Sequence, residues 1–559
     1  MVTKRIVKEK SDDKKMLKQI REKLPTSILE VEIETFGRHQ KVINESDEHA
    51  RIIRNTAMGS IYKSYQQMIR TKRYKKAFSL YVGVLKEIES TNSEELLKEL
   101  KNLKNQYAEQ LQGFQYEFGV TFDHVRKETE ELQKQFSKAQ AVIALKMAER
   151  VWQSMERILY GDAEKPRFIG KAFFASLEGK QNERCIMLKQ DKNKQFFVSY
   201  CGEKLFLKLK KNDQFVEETL SHIAYYFENG AMIEQQNIEN FKNGKPLQPT
   251  YRVKYNRIIR KEIRGKYRYF VQIVIEGEPV PKRKKDGSFR HTYGVGRIGG
   301  DIGTQSIAIV SSEKVELKNL AERTKRNRER TIFLLQRKQD RSKRATNSDC
   351  FDENGKTIKK MHTKSKRYIR NQKKLRNIQR IAAENRQYAH NEEVNKLRSL
   401  GDECIIETMS FKGLQKRAKE TTINQKTGKI NRKKRFGKSI LNRSPGYFVS
   451  QLKYRFALTG GKVSEVNTWS FKASQYDHLL DDTNKKQLSQ RWHLFENGLK
   501  VQRDLYSAFL LYCADANLTK PNKEDCDLFF EDFYALHEQC IEIIKSEHRN
   551  VRNSGIKFK

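Results

Sequence analysis

The sequence predicts a multidomain α+β chain: a β-rich domain interrupted by a helical block, followed by an α/β domain. Three observations carry this reading. Apolar residues recur at helical spacing from about 48 to 160, and at a period of two from about 166 to 298. After 298, short apolar runs suited to buried strands alternate with helical stretches, the order expected of an α/β domain. At 559 residues the chain is long enough for roughly three or four cores.

Composition narrows the partners. Lys and Arg number 112 against 70 Asp and Glu, a formal net charge of +42. Such an excess repels itself in a compact chain unless a polyanion neutralises it. Nucleic acid is the natural partner, held largely by phosphate contacts and counterion release. No apolar run reaches the roughly 18 residues needed to span a bilayer. Met1-Val2-Thr3-Lys4-Arg5 lacks the apolar core of a secretory signal. The seven cysteines are odd in number and scattered, with no C-x-x-C pair, so neither a disulfide framework nor a cysteine zinc site is signalled. A reduced, cytoplasmic protein is expected.

Taken in order, Ile28 to Ile33 alternates apolar and acidic residues as a strand does. In the helical block, Thr91 with Glu94 predicts a capping box before Leu96, Leu100, Leu103, Tyr107 and Leu111. Leu132, Phe136, Ala139, Ile143, Met155 and Ile158 predict a second long helix, closed by Gly161 and Pro166. From 166, Leu205, Leu207 and Leu209, then Tyr267, Tyr269, Val271, Ile273 and Ile275, keep strand alternation. Tyr251, Arg252 and Lys254 interleave charge with a stacking surface, a pattern suited to nucleic acid.

The stretch from 315 to 398 predicts a basic helical hairpin. Its first arm carries Arg323, Lys325, Arg326, Arg337, Lys338, Arg341, Lys343 and Arg344, and its second carries Arg367, Arg370 and Lys374. Asp352-Glu353-Asn354-Gly355 marks the turn at its tip. Two arms of one sign repel unless something anionic lies against them. A further basic loop contains Arg432, Lys433, Lys434 and Arg435.

Three acids stand out in the α/β part. Ile298-Gly299-Gly300-Asp301-Ile302-Gly303 places Asp301 on a strand, and Ile307 to Val310 forms the next one. Cys404-Ile405-Ile406-Glu407 ends a buried parallel strand in Glu407. Ser444 and Pro445 open a helix, Lys462 to Asn467 gives another strand, and Asp504 lies in the first turn of a helix packed on the sheet. Each acid alone reads as an ordinary turn or cap residue. Together they can meet at one end of a mixed sheet, where their repulsion calls for divalent cations, and Mg²⁺ prefers carboxylate and water ligands. Two ions about 3.5–4 Å apart would serve phosphodiester hydrolysis. Asp301 is assigned as the bridging ligand, with Glu407 and Asp504 completing the two shells.

At these residues the chain resembles the TnpB family, transposon-encoded RNA-guided nucleases ancestral to type V CRISPR effectors of the Cas12 type. The likeness lies in Gly-Gly-Asp-Ile-Gly, the segment Asp340 to Asn347, Gly401-Asp402 leading to Glu407, Ser410 to Lys416, Arg443 to Phe448, and Gln502 to Phe509. It is specific over about 290 to 512 and looser before that. The resemblance implies a β-barrel wedge domain at 1–50 and 166–298, with a helical recognition lobe at 51–165 inserted. It further implies a RuvC, RNase H-like nuclease domain at 299–472, closed by a helix at 501–514. A helical tail with a basic end occupies 515–559. The implied function is guide-RNA-directed cleavage of double-stranded DNA beside a short flanking motif, by one two-ion, Mg²⁺-dependent site at which Mn²⁺ can substitute. A monomer is the favoured state. Segment 473–500 departs from the family: it holds His478 and His493 but no cysteine, so no structural zinc is expected. Arg491 matches a family position facing nucleic acid. The alternatives are a guided binder with weak or no cleavage and a DDE-type transposase.

Overall fold

In the computed structural model, the described residues are all except 1, 92, 137, 162, 172, 174, 175, 323–326, 359–361, 417–419, 424–435, 486, 488, 489 and 559. The chain forms two units, residues 1–280 and 281–559. Among the described residues no helix is long and apolar enough to cross a membrane.

The first unit runs α1 (Val2–Lys23), β1 (Thr26–Glu32), α2 (Gly37–Arg70), α3 (Lys72–Ser90), α4 (Glu94–Glu117), α5 (Phe122–Gln135), α6 (Ala141–Leu159), β2 (Leu177–Glu178), β3 (Met187–Gln190), β4 (Phe196–Tyr200), β5 (Glu203–Phe206), α7 (Gln214–Lys242), β6 (Val253–Ile263) and β7 (Lys266–Glu276). Strands pair antiparallel in two sheets, β1-β7-β6-β2 and β3-β4-β5. An isolated bridge between Ile33 and Leu207 joins them. Among the described residues the two sheets do not close into a barrel.

Strand alternation sets the core here. Leu29, Val31, Val271, Ile273, Ile275 and Leu205 turn inward onto Ile43 and Ile53 of α2 and Ile143 and Met147 of α6. Tyr267 and Leu209, expected on the same inward rows, are exposed near their strand ends. Helix α2 begins at Gly37 and runs past residue 50, so the first 50 residues contribute one strand between two helices. The long helix expected over Leu132–Ile158 is two helices. The chain breaks between α5 and α6, where Phe136 and Ala139 pack into the sheet's core and the Ser46 hydroxyl donates to the Lys138 carbonyl at 2.7 Å. The Thr91–Glu94 box does not form, because Thr91 ends α3 and Ser93 precedes α4. Helix α7, 29 residues long, lies within the stretch expected to be β-rich.

The second unit runs β8 (Arg297–Ile302), β9 (Ser306–Ser311), β10 (Val315–Asn319), α8 (Asn327–Thr346), α9 (Lys366–Leu400), β11 (Glu403–Glu407), α10 (Phe411–Leu414), α11 (Gly437–Arg443), α12 (Pro445–Leu458), β12 (Lys462–Val466), α13 (Thr468–Phe471), β13 (Tyr476–Asp477), β14 (Asp482–Thr483), β15 (Trp492–Leu494), β16 (Lys500–Gln502), α14 (Arg503–Tyr512) and α15 (Lys523–Ser546). Its sheet has the order β10-β9-β8-β11-β12. The first three strands are antiparallel neighbours, and β8, β11 and β12 run parallel.

Each face of this sheet has its own core. Ala308, Val310, Leu317, Ile405 and Val466 pack with Leu505, Ala508 and Phe509 of α14 and with Phe533 and Ile541 of α15. Ile298, Ile302, Ile307, Ile309, Cys404 and Ile406 pack with Val394 and Leu397 of α9 and Phe448 and Leu452 of α12. Strand parity is therefore what separates the two layers. The hairpin expected over 315–398 starts with strand β10, whose Val315 and Leu317 belong to the sheet. Ser444 does precede α12, with Pro445 at its first position, yet makes no side-chain cap: its N–H bonds the Ile440 carbonyl at 2.7 Å and closes α11.

Candidate active site

Register brings the three acids together. In the parallel pair β8–β11, Gly299 lies opposite Ile405 and Gly300 opposite Ile406. One step further, Asp301 and Glu407 stand level on adjacent strands, roughly 5 Å apart at the backbone. Both share the face of Gly299 and Ile405, because side chains alternate. That face is covered by α14, which approaches so closely that a Cβ at Gly299 would collide with the Ala508 carbonyl oxygen and touch the Tyr512 nitrogen. The glycine is needed there for close approach. Asp504, in the first turn of α14, therefore meets Asp301 from above the sheet. A cavity of about 160 Å³ is lined by Asp301, Asp504, Arg491, Gln305 and Asn553. Glu407 opens onto a neighbouring hollow of about 200 Å³, shared with Ile302, Phe411, Val449 and Glu465.

The carboxyls carry the electrostatic mark of crowding. Burial pushes Asp301 well above the usual carboxylate range, and the charges of Asp504 and Glu407 push it further, against a smaller pull from Arg503. Burial likewise raises Glu407, opposed by Arg503. Asp504 is raised by burial and opposed by Arg491, by its hydrogen bond with Gln502 and by Arg503. A half-buried, mutually repelling set of oxygen donors matches what a hard divalent cation neutralises. Among the described residues, no three Asp, Glu, His or Cys side chains close around a single point. The donor set thus fits ions that take part of their shell from these acids and the rest from water.

Arg503 is a site residue that the sequence reading passed over. It neighbours Asp504, its guanidinium donates to the Gln487 and Gln490 carbonyls at 3.3 and 3.4 Å, and its charge bears on all three acids. Its position beside the third acid was the available signal. Arg491 lines the acid cavity, and its backbone carbonyl accepts from the Arg503 N–H at 3.0 Å.

In segment 473–500 both histidines are inside the protein. His493 Nε2 lies 2.9 Å from the Asp477 carboxylate, and its ring stacks on Tyr506 at 4.8 Å. His478 Nδ1 is 2.7 Å from the Tyr506 hydroxyl, which also accepts the His478 backbone N–H at 3.1 Å. Phe495 and Phe530 complete the aromatic cluster. Tyr506 belongs to α14, so this segment is fastened to the helix that carries Asp504.

The other expected contacts divide into three groups. Arg337, Lys338 and Arg341 on α8, and Arg367, Arg370 and Lys374 on α9, are exposed. Arg344 is engaged in building the hairpin tip: it pairs with Asp340 at 3.0 Å, donates to the Gly355 carbonyl at 3.2 Å and lies over Phe351, as Lys343 does. In the first unit, Arg252 pairs with the buried Glu276 at 2.8 Å, Tyr251 stacks on His222 at 4.5 Å, and Lys254 reaches the Thr26 hydroxyl at 3.4 Å. Arg323, Lys325, Arg326, Arg432, Lys433, Lys434 and Arg435 lie outside the described residues. The larger hollow of about 460 Å³ between β10 and α9 is spanned by Lys318, which bridges Glu316 at 2.9 Å and Glu393 at 2.6 Å.

No family model and no curated protein sequence matches the chain. Among solved structures it is similar to Cas12f1 in a complex with its single guide RNA and target DNA, at 12% identity and a TM-score of 0.38, over 87% of this chain and 98% of that one. It is also similar to Cas12i1 in an R-loop complex after target cleavage, at 10% identity and a TM-score of 0.26, over 89% of this chain and 64% of that one. The same complex before cleavage gives 10% identity and a TM-score of 0.26, over 90% of this chain and 64% of that one. Overlap this loose assigns no activity, and the functional reading rests on the residues themselves.

Proposed function

We propose that this chain is an RNA-guided DNA endonuclease of the TnpB and Cas12 kind, cutting through one RuvC-type, RNase H-like site. The observation that carries the reading is the set Asp301, Glu407 and Asp504: two acids level on adjacent strands and one on the helix above, each raised above its ordinary value. A half-buried cluster of this kind is unfavourable for a fold and supports a functional site. Asp301, Glu407 and Asp504 would hold Mg²⁺ or Mn²⁺. When bound, such ions activate a water and stabilise the leaving oxygen. The chain's own groups do the rest. Arg491 and Arg503 place positive charge beside the acids, where a phosphodiester is drawn in. The exposed cations of α8 and α9 track a phosphate backbone without reading bases, and base pairing with a guide RNA supplies sequence choice.

The test is to purify the chain with its co-expressed RNA, sequence that RNA, and challenge plasmids carrying the matching target and a randomised flank in Mg²⁺. Cleavage that disappears in Asp301→Asn and Glu407→Gln supports the reading; cleavage unchanged in both overturns it. A second reading, guided binding without cutting, is favoured by one observation: segment 473–500 holds none of the zinc-ribbon cysteines that the resembled family carries there. Tight guided binding with intact plasmid in both Mg²⁺ and Mn²⁺ would select it.

A further inference from the structure

The chain after α15 returns to the acid cavity and is fastened around it. Asn319, ending β10, grips this segment twice, donating to the Asn550 carbonyl at 2.9 Å and accepting the Arg552 N–H at 3.0 Å. The Arg552 guanidinium donates to Gln305, in the turn between β8 and β9, at 3.1 Å. The Ser554 carbonyl accepts from the Gln502 side chain at 3.3 Å, and the Gly555 carbonyl from the Trp492 indole at 3.2 Å. Gln502 is fully buried and caps α14 by accepting the Leu505 N–H at 2.9 Å. Its own N–H is held at 2.9 Å by His537 Nε2 on α15. The anchors of residues 550–555 are thus the strand ends and helix cap that frame Asp301 and Asp504. Between them, Asn553 lines the cavity that the two acids share.

The ordinary explanation of Asn553 is conformational. Its φ is +63°, a left-handed geometry that asparagine tolerates better than most residues. A turn alone does not explain why this residue lies on the wall of the acid cavity. That cavity is lined by two acids and Arg491, and an asparagine amide can supply a neutral hydrogen-bond donor there. We infer that Asn553 is a substrate-positioning residue whose amide donates to the phosphodiester entering the Asp301–Asp504 cavity, with residues 550–555 as the fixed strap that presents it. The inference rests on the nuclease reading above.

Asn553→Gly is the clean test, since glycine adopts a positive φ without strain and removes only the side chain. In single-turnover cleavage of a guided target at saturating Mg²⁺, Asn553→Gly is expected to slow cutting about 100-fold, the loss typical of one preorganised donor. Melting temperature and guided target affinity should stay at wild-type values. Asn553→Asp, which adds a carboxylate, is expected to tighten Mn²⁺ binding measured by electron paramagnetic resonance without DNA, while also cutting slowly. Wild-type cleavage that Asp301→Asn abolishes but Asn553→Gly leaves at full rate overturns the inference and spares the nuclease reading. A parallel fall in melting temperature, target affinity and rate in Asn553→Gly shows a turn residue only, and also overturns it. A wild-type chain that binds its target and never cuts removes both.

Discussion

Glu276 and Glu178 of the first unit and the candidate-site acids of the second are treated in opposite ways. In the first, Glu276 exposes 1% of its side chain and is answered by Arg252 at 2.8 Å. Glu178 is ringed by Arg257 at 2.8 Å, Arg150 at 3.4 Å and Lys146 at 3.5 Å. In the second, Asp301 and Glu407 have no lysine or arginine within ion-pair distance among the described residues, and only the more distant Arg503 offsets them. An acid that the fold has already neutralised is part of the scaffold. An acid crowded against its like and given no cation of its own is costly to ionise until a cation arrives to pair with it.

The largest effect is expected at Asp301. Replacing it with Asn should reduce guided cleavage by about 10³-fold or more, the several kcal/mol that a metal site contributes to a transition state. Guided target binding should persist. The same variant carries a pH signature. All three carboxyls have folded-state values above their unfolded ones, so the folded chain holds more protons between the two. Metal-free stability contributed by these groups is therefore full below the ordinary carboxylate range and falls as pH climbs through the raised values. Melting curves from about pH 4 to pH 8 should show that decline in the wild type. The slope should be shallower in Asp301→Asn, and Mg²⁺ should restore stability only to the wild type.

Next in size is Arg252→Ala in the first unit, expected to cost about 3 kcal/mol in urea unfolding because it strands a buried carboxylate. Guided cleavage at low temperature should be little changed. The residue illustrates what a sequence hides. Tyr251, Arg252 and Lys254 have the composition of a nucleic-acid surface, but Glu276 lies 24 residues away on the partner strand, and only pairing of β6 with β7 reveals the ion pair. The acids of the second unit were legible because strand parity is local: Gly299, Asp301, Ile405 and Glu407 keep a period of two, and the sheet needs nothing else to align them. Helix α7 was not legible. Its interior Asn229-Gly230 is a turn signal, overridden by packing of Leu220 and Ile223 into the core and by an ion pair from Glu234 to Arg21 at 2.8 Å. Asn553 offered no signal at all, since its significance comes from where the C-terminal segment is tied.

Gly299→Ala probes the contact between the sheet and α14. The added methyl has no room beside Ala508 and Tyr512, so the helix must shift. Overpacking of this kind costs about 1–3 kcal/mol. The matching change at Gly83 of α3, where a Cβ meets nothing within 4 Å, should be neutral or slightly stabilising. If the acids depend on α14 for their geometry, Gly299→Ala should lose more cleavage than its melting temperature explains. A rate that merely follows stability would separate the helix's packing role from the site.

The smallest effects belong to the hairpin, and they sharpen the contrast from the side of the cations. Arg341 on α8 and Arg370 on α9 are exposed, whereas Arg344 is bound to Asp340 and Gly355. Removing Arg341 or Arg370 should weaken guided target binding a few-fold, uniformly across target sequences, and reduce the salt dependence of the affinity by about one ion each. Arg344→Ala should leave that slope unchanged and instead loosen the tip, read as faster amide exchange at Asp352–Lys356. An unaltered slope in Arg341→Ala and Arg370→Ala together would remove the hairpin from the nucleic-acid path, and the excess positive charge would then have to act elsewhere.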